Sequence, residues 1–327
     1  MLIRFFKNNN PSLFVLLPLF ALVLWISSFV GHPQFAETNS TLLFGIVSKL
    51  LTVSPYLCTI ISFALLIAES FLLNFIVSEN EIITKRTFLP ALFYIVFMSN
   101  NEALLTFHPS LFANLFILLS LNKIFTSFRK TNAFSNVFDA GLLLSVASLF
   151  YFPTILLFPL IGIGLIIFRT FNWREWIISA IGICVPYVFI LSYYFWNNQL
   201  SVFWNSCSSY FVLHDKPSFD YTFSFYFMAI TGLIVALFSL SKILNNIRSG
   251  SQKTKKNLIF INWLFLFSII SFCIAPSLIS PYFAALAIPL SIYTANYFLS
   301  MKKEWLGELL FLLFLITILI NDFSKYL

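Results

Sequence analysis

Two glutamates in separate polar breaks of a very hydrophobic sequence are the first residues that could do chemistry. Glu37 lies in the stretch Gly31–Pro55, GHPQFAETNSTLLFGIVSKLLTVSP, which is the first long break in the apolar sequence, and Glu102 lies in the later break NNEALLTFHP. A carboxylate within hydrogen-bond reach of a hydroxyl can take its proton as the hydroxyl attacks an electrophile. We therefore predict that Glu37 and Glu102 are catalytic.

Cationic, amide and imidazole side chains occur in the same breaks and in a third one near residue 214. Positive charge stabilises a phosphate leaving group, so these side chains could bind the substrate of such a transfer. The predicted substrate-binding residues are His32, Lys49, Asn101, His108, His214, Asp215 and Lys216. No CxxC motif or cluster of metal ligands accompanies the four cysteines, so no metal site is predicted.

Each candidate also has a simpler interpretation. Glu37 fits a solvated loop residue, Glu102 a helix cap and His108 an interfacial residue before Pro109. Residues 214–216 fit an exposed turn with a local ion pair.

Composition places these residues in a membrane protein. The chain has 327 residues, of which 60% are hydrophobic and 9% charged, whereas a soluble domain carries roughly 25% charged residues. Apolar runs recur that are long enough to cross a bilayer, and they lack the alternation of barrel strands. The sequence predicts one all-α, polytopic transmembrane domain over residues 1–327, with about 11 transmembrane helices.

The predicted elements follow the apolar runs. The spans are Ser12–Val30, Tyr56–Ser78, Phe88–Ser99, Ser110–Thr126, a pair within Ala140–Phe168, Trp176–Trp196, Thr222–Leu244, Leu258–Ala275, Pro281–Leu299 and Leu306–Ile320. Between them lie a first outer loop (31–55), a second long outer loop (197–221) and a basic cytoplasmic loop (245–257). Within the first outer loop, Thr41–Thr52 has an apolar stripe at helical spacing and predicts a helix in the membrane interface.

The distribution of basic residues predicts the orientation. Basic residues flank Ala140–Phe168 on both sides, so a helical hairpin turning near Tyr151–Pro153 keeps both flanks on one side. With this hairpin, only Lys49, Lys216 and Lys325 of the 19 lysines and arginines fall on the outer side, as the positive-inside rule requires. The N-terminus is then cytoplasmic and the C-terminus periplasmic. The net charge of +7 follows from this topology and does not indicate nucleic-acid binding.

Glu69 is the one acid deep within an apolar run. A carboxyl in a span is costly and marks a pathway or an internal hydrogen bond. Ser70 and Asn74 are the predicted partners that could satisfy it, in which case Glu69 is protonated and structural.

The organisation resembles the C-class (GT-C) membrane glycosyltransferases. The stretches PALFYIVFMSNNEALLTFHPSLFANLFILLSLNKIF and DAGLLLSVASLFYFPTILLFPLIGIGLIIF look like the third to sixth helices of that superfamily, where an "aGlllglA.l..ptll" pattern recurs. The resemblance implies a GT-C-like fold with an interfacial helix in the first outer loop, and it places Glu37 and Glu102 where the two acids of the superfamily lie. It also implies a polyprenyl-phosphate-linked sugar as donor, and because no DxD motif is present it leaves a divalent cation open. The whole chain is also similar to a polytopic inner-membrane protein family of Bacteroidota.

Three functions remain open on the sequence. The first is a polyprenyl-phosphate-sugar-dependent glycosyltransferase of cell-envelope polysaccharide biosynthesis, with its active site on the periplasmic face of the inner membrane. The second is a non-catalytic GT-C-like membrane subunit of an envelope complex. The third, a lipid or glycan transporter, is disfavoured because the sequence shows no clear inverted repeat.

Overall fold

The described part of the protein consists of α-helices joined by short turns. The computed structural model describes residues 2–7, 10–30, 43–51, 55–83, 85–100, 104–128, 130, 132–209, 230, 232, 234, 238–239, 252–274, 283–301 and 304–323. The helices are α1 (Leu2–Lys7), α2 (Leu13–Leu24), α3 (Ile26–Val30), α4 (Phe44–Leu51), α5 (Pro55–Glu79), α6 (Leu89–Met98), α7 (Pro109–Thr126), α8 (Phe134–Phe150), α9 (Pro159–Phe168), α10 (Trp173–Trp196), α11 (Leu200–Ser209), α12 (Gln252–Ile274), α13 (Ala284–Ser300) and α14 (Glu304–Phe323). A 3₁₀ helix, Phe152–Leu157, lies between α8 and α9.

Helix length and composition are those of a membrane protein. Within the described part of the chain, four stretches are long and apolar enough to cross a bilayer: Tyr56–Glu79, Pro109–Thr126, Trp173–Trp196 and Gln252–Cys273. Shorter apolar helices accompany them. The predicted span Thr222–Leu244 falls largely outside the described residues, so the total of about 11 spans stays a prediction.

Helix α6 forms the centre of the bundle. All 10 of its residues are buried, and it packs mainly against α5 and α13. Aromatic rings contribute to the packing of α6: the ring centroids of Phe93 and Phe298 on α13 lie 4.7 Å apart, and those of Phe97 and Phe314 on α14 lie 6.4 Å apart. A helix that is apolar all round lies either in a protein core or in a membrane, and α6 is enclosed by neighbouring helices.

The predicted first span is interrupted. A single helix over Ser12–Val30 is wrong, because the chain leaves helical geometry at Trp25 and divides into α2 and α3. The Trp25 side chain is fully buried, and its Nε1 donates a hydrogen bond of 3.2 Å to Ser99 Oγ at the end of α6. This tertiary contact fixes the position of the break.

The predicted hairpin within Ala140–Phe168 is confirmed. Helices α8 and α9 are joined through the 3₁₀ helix, which follows Tyr151 in an extended conformation. The two ends of the hairpin meet, since the Arg169 guanidinium after α9 donates to the carbonyls of Ser127 (3.3 Å) and Lys130 before α8. One continuous span could not bring these residues together.

The same guanidinium forms a two-pronged ion pair that fixes the turn from α9 to α10. Arg169 Nε lies 3.1 Å from Glu175 Oε2, and Nη2 lies 2.5 Å from Oε1. The two side chains are only 10% and 3% exposed. Bidentate geometry of this kind is the strong form of a charged hydrogen bond.

The described basic residues gather at one end of the bundle, here called the basic end (described residues of 2–7, 79–88, 123–133, 169–175 and 252–257). Phe88 N donates to Phe6 O at 3.1 Å, and Lys256 Nζ lies 5.4 Å from the centroid of the Phe128 ring. These contacts join the segments into one surface. Its lysines and arginines are Arg4, Lys7, Lys85, Arg86, Lys123, Lys130, Arg169, Arg174, Lys253, Lys255 and Lys256.

The basic loop predicted over 245–257 is in part helical, which corrects its boundary. Helix α12 begins within it, at residue 252. The side chains of Lys253 and Asn257 donate to the carbonyls of Glu79 (3.1 Å) and Asn80 (2.6 Å) in the turn after α5. These contacts stabilise the first turns of α12 as a helix, although the polar composition of this segment predicts a loop.

Helices α8 and α10 approach each other through two glycines. A Cβ added at Gly182 would lie 2.5 Å from the Phe138 carbonyl oxygen, and one added at Gly141 would lie 2.6 Å from the Ser179 carbonyl oxygen. Small residues allow helix backbones to pack this closely in membranes.

We predict that Gly182→Ala lowers stability by about 1–3 kcal/mol, because backbone must move to admit the methyl group. The matched control is Gly307→Ala in α14, where an added Cβ would meet only ordinary contacts of 3.4 Å or more. Thermal unfolding of both variants in the same detergent measures the difference. Equal melting temperatures for the two variants would contradict the close approach of α8 and α10.

Candidate functional site

Most of the predicted site residues cannot be placed in the structure. His32, Glu37, Asn101, Glu102, His214, Asp215 and Lys216 lie outside the described residues. Lys49 belongs to helix α4, but its side chain is outside the described part as well. Only His108 is described with its side chain, so the roles of the other residues stay predictions.

The described flanks of the two acid-bearing breaks nevertheless meet. Ser28 Oγ, before the first break, donates at 3.2 Å to the carbonyl of Leu105, which lies within the second break. The rings of Phe44 and Phe107 have centroids 5.1 Å apart. We call the described part of residues 28–30, 43–51, 99–110 and 149–153 the loop end. Helices α5 and α7 each start at the loop end and finish at the basic end.

Helix α4 confirms the helix predicted within Thr41–Thr52, over the shorter range Phe44–Leu51. Phe44 is 5% exposed and fixes the helix against Phe107 and Phe112. Just before α4, Leu43 N donates to the Leu149 carbonyl at 3.2 Å. The described end of the first break, at Leu43 and Phe44, therefore contacts both the second break and the α8–α9 hairpin.

His108 is fully buried at the start of α7. Its Nε2 lies 3.2 Å from the Leu104 carbonyl, and its Nδ1 lies 2.6 Å from Ser110 Oγ. Because a carbonyl only accepts, Nε2 carries the proton and Nδ1 accepts from the serine hydroxyl. Both ring nitrogens are therefore used within the protein, and a substrate would have to displace Leu104 or Ser110 to reach them.

A second polar cluster lies inside the bundle. Tyr94 on α6 donates its hydroxyl to Glu69 Oε2 on α5 at 2.8 Å. Asn114 Nδ2 on α7 donates both to the Tyr94 hydroxyl oxygen (3.0 Å) and to the Ala284 carbonyl at the start of α13 (2.9 Å). All four residues are at most 1% exposed, so the cluster joins four helices through buried polar contacts.

The partners predicted for Glu69, Ser70 and Asn74, are wrong: the side chain that hydrogen-bonds to Glu69 is Tyr94. Ser70 Oγ donates to the Ile67 carbonyl of its own helix at 2.8 Å, and the hydrogen bond to Glu69 comes from another helix. The signal available in the sequence was the presence of Tyr94 and Asn114 in otherwise apolar runs, since polar groups in such runs require internal partners. Their pairing depends on how the helices pack.

Among the residues that the structure describes, no group of three or more His, Cys, Asp or Glu side chains is placed to hold a metal ion. The divalent cation left open by the sequence stays open.

Comparison with known proteins gives a family and no function. The sequence profile of a family described as a family of unknown function (DUF6427) matches residues 38–327. The chain matches no curated protein and no solved structure.

The burial of His108 predicts a pH dependence of stability. Loss of hydration lowers the pKa of His108 from 6.5 to about 4, and the hydrogen bond to Leu104 opposes this only in part. Between these values the unfolded chain binds a proton that the folded chain does not, so stability falls as the pH drops below 6.5, by about 2 kcal/mol at pH 5.

The unfolding free energy of the wild type and of His108→Gln, measured from pH 7 to pH 5, tests this. We expect the variant to lose this part of the pH dependence. An unchanged dependence in the variant would show that His108 is protonated as readily in the folded protein as in the unfolded chain.

Proposed function

The chain belongs to the DUF6427 family, a family of unknown function, and we propose that it is a membrane glycosyltransferase. It transfers a sugar from a polyprenyl-phosphate carrier to an acceptor of the cell envelope. Its active site lies at the loop end, on the periplasmic face of the inner membrane. The observation that carries the proposal is the contact between the flanks of the two acid-bearing breaks, at the end of the bundle opposite the basic residues.

The sidedness follows from the positive-inside rule. Lysines and arginines are retained on the cytoplasmic side of a membrane, which assigns the basic end to the cytoplasm and the loop end to the outside. Helix α1, with Arg4 and Lys7, then puts the N-terminus in the cytoplasm. Near its start, helix α14 lies against Phe298 at Gly307. Further along α14, Phe311 contacts Phe93 and Phe314 contacts Phe97. Because Phe97 is nearer than Phe93 to the loop end of α6, α14 runs toward the loop end. This direction supports a periplasmic C-terminus.

The predicted residues take roles that fit this placement. Glu37 accepts the proton of the acceptor hydroxyl as that oxygen attacks the anomeric carbon, and the bond from the anomeric carbon to the phosphate oxygen breaks. Glu102 supports this step as a second carboxylate. Lys49, Lys216 and the histidines offset the charge of the departing polyprenyl phosphate.

Helix α4 suits a donor that is a lipid. It follows the break that carries Glu37, and it is anchored through Phe44. An amphipathic helix in the membrane interface would border the path by which a polyprenyl carrier enters from the bilayer.

A non-catalytic membrane subunit is the second candidate, and the environment of His108 favours it. That side chain is fully buried with both nitrogens satisfied, as in a packed scaffold. On this account the loop end holds a partner protein in place and the acids are dispensable.

Substitution of the two acids separates the candidates. We predict that Glu37→Gln and Glu102→Gln, introduced into a deletion strain, each lower the rate of surface-glycan incorporation by about 100-fold or more, since a positioned base contributes 10²–10⁴-fold. The control is Glu79→Gln, an exposed glutamate at the basic end, which should behave as the wild type. Protein levels in the membrane are measured in parallel.

Wild-type glycan in both acid variants, at normal protein level, would exclude the enzyme. If the deletion strain nevertheless lacks the glycan, the non-catalytic subunit is the correct account.

A further inference from the structure

The Glu69 carboxyl is fully buried, yet only one of its oxygens is hydrogen-bonded. Oε2 accepts from Tyr94, whereas Oε1 has no hydrogen-bond partner among the described residues. Burial of a polar atom without a hydrogen-bond partner is unfavourable, because the atom loses its hydration without replacement. Ionisable side chains within membrane spans are rare, and they mark ion or proton pathways or paired internal contacts.

We propose that Glu69 is a proton-binding site inside the helix bundle, with an exchangeable proton on Oε1 and the Tyr94 hydroxyl on Oε2. The ligand is the proton, passed to and from a water molecule. This inference is independent of the proposed glycosyl transfer.

The surroundings of Glu69 favour the neutral carboxyl. An ionised carboxylate in an apolar interior needs a cation or several hydrogen-bond donors, and here the donors beside the carboxyl are the Tyr94 hydroxyl and the backbone N–H of Leu115 on α7. On α5 the next charged residue is Glu79, at the basic end, and on α6 the titratable group is Tyr94 itself. Helix α7 carries Lys123 nine residues beyond Asn114, where it pairs with Asp139.

Helix α13, the fourth helix of the cluster, also brings no charge to Glu69. It carries Tyr293 and Tyr297, of which Tyr293 donates to Asn262 Oδ1 on α12 at 2.5 Å. The charge of an ionised Glu69 would therefore be offset by uncharged donors only, the Tyr94 hydroxyl and the Leu115 backbone N–H.

The direction of the hydrogen bonds fixes the oxygen that carries the proton. Asn114 Nδ2 has two hydrogens, and they go to the Tyr94 oxygen and to the Ala284 carbonyl. The Tyr94 hydroxyl hydrogen therefore points to Glu69 Oε2. Oε2 is then the carbonyl oxygen of a neutral acid, and the proton lies on Oε1, the atom that the protein leaves without a partner.

The site is close enough to the loop end for exchange with that side. Asn114 follows His108 by six residues, which is about 9 Å along the helix axis, in a membrane core of about 30 Å. When the proton leaves, Oε1 passes it to water and Glu69 becomes a carboxylate whose side-chain donor is Tyr94. This adds an uncompensated charge at the junction of α5, α6, α7 and α13.

Infrared spectroscopy of the full chain in lipid at neutral pH tests the protonation state directly. A neutral carboxyl has a C=O stretch that a carboxylate lacks. We expect the spectrum of the wild type minus that of Glu69→Gln to contain this band. Glu79→Gln, on the same helix but exposed, should leave the neutral-carboxyl band unchanged.

Two further measurements keep the proposal falsifiable if Glu69→Gln does not fold. Tyr94→Phe should retain the band and shift it to higher frequency, because the hydrogen bond to the carbonyl oxygen is lost. In wild-type protein carrying ¹³C-labelled glutamate, the band should move with the label and move again in ²H₂O as the proton exchanges.

Loss of carboxylate bands in Glu69→Gln, with no neutral-carboxyl band in the wild type, would overturn the proposal. A band that does not respond to ²H₂O after prolonged incubation would overturn the exchange with water.

Discussion

An apolar interior does not accommodate unpaired charge, and the arrangement of this bundle follows from that constraint. The described lysines and arginines of the termini and turns collect at the basic end, where water and polar partners are available. Where charge is buried it is paired, as in the bidentate contact of Arg169 with Glu175. Glu69 is the exception in the described interior, and there a hydroxyl replaces a cation as partner. A charge deep in a bilayer costs several kcal/mol, which is of the order of the whole stability of a domain.

The same constraint explains how the helices are joined. Many polar side chains in the described bundle bind backbone carbonyls, as Ser62, Ser120 and Thr294 do, and the closest contacts between helices depend on shape. Gly141 and Gly182 let α8 and α10 approach to backbone contact, while aromatic rings surround α6. The Glu69–Tyr94–Asn114 cluster is a polar link in this apolar packing, and it reaches from α5 to α13 through two side chains. A change of protonation there would act on four helices at once.

Features set by composition and charge could be predicted from the sequence. The α8–α9 hairpin followed from the basic residues at both of its ends, because a single span would have placed the basic residues of the later loops on the outer side. The limits of α5, α7 and α10 followed from the length of their apolar runs. The break at Trp25, the early start of α12 and the partner of Glu69 could not be predicted in this way, because each depends on a contact with a residue far along the chain.

In the candidate site, too, some features could be predicted from composition and charge, whereas others depend on long-range contacts. That the two acid-bearing breaks share one end follows from the alternation of spans, and the contacts of Ser28 and Phe44 agree with it. The burial of His108 could not be read from a histidine before a proline, since it depends on Leu104 and Ser110 folding around the ring.

The central claim is that the two acids face the outside and the basic residues face the cytoplasm. Single cysteines at Glu37, Glu102, Lys85 and Lys255, introduced after replacing Cys58, Cys184, Cys207 and Cys273 by serine, can be probed with a membrane-impermeant maleimide in sealed right-side-out vesicles. The account predicts that Glu37→Cys and Glu102→Cys are labelled in sealed vesicles, whereas Lys85→Cys and Lys255→Cys are labelled only after lysis. Labelling of Glu37→Cys and Glu102→Cys from opposite sides, or of both only after lysis, would contradict it.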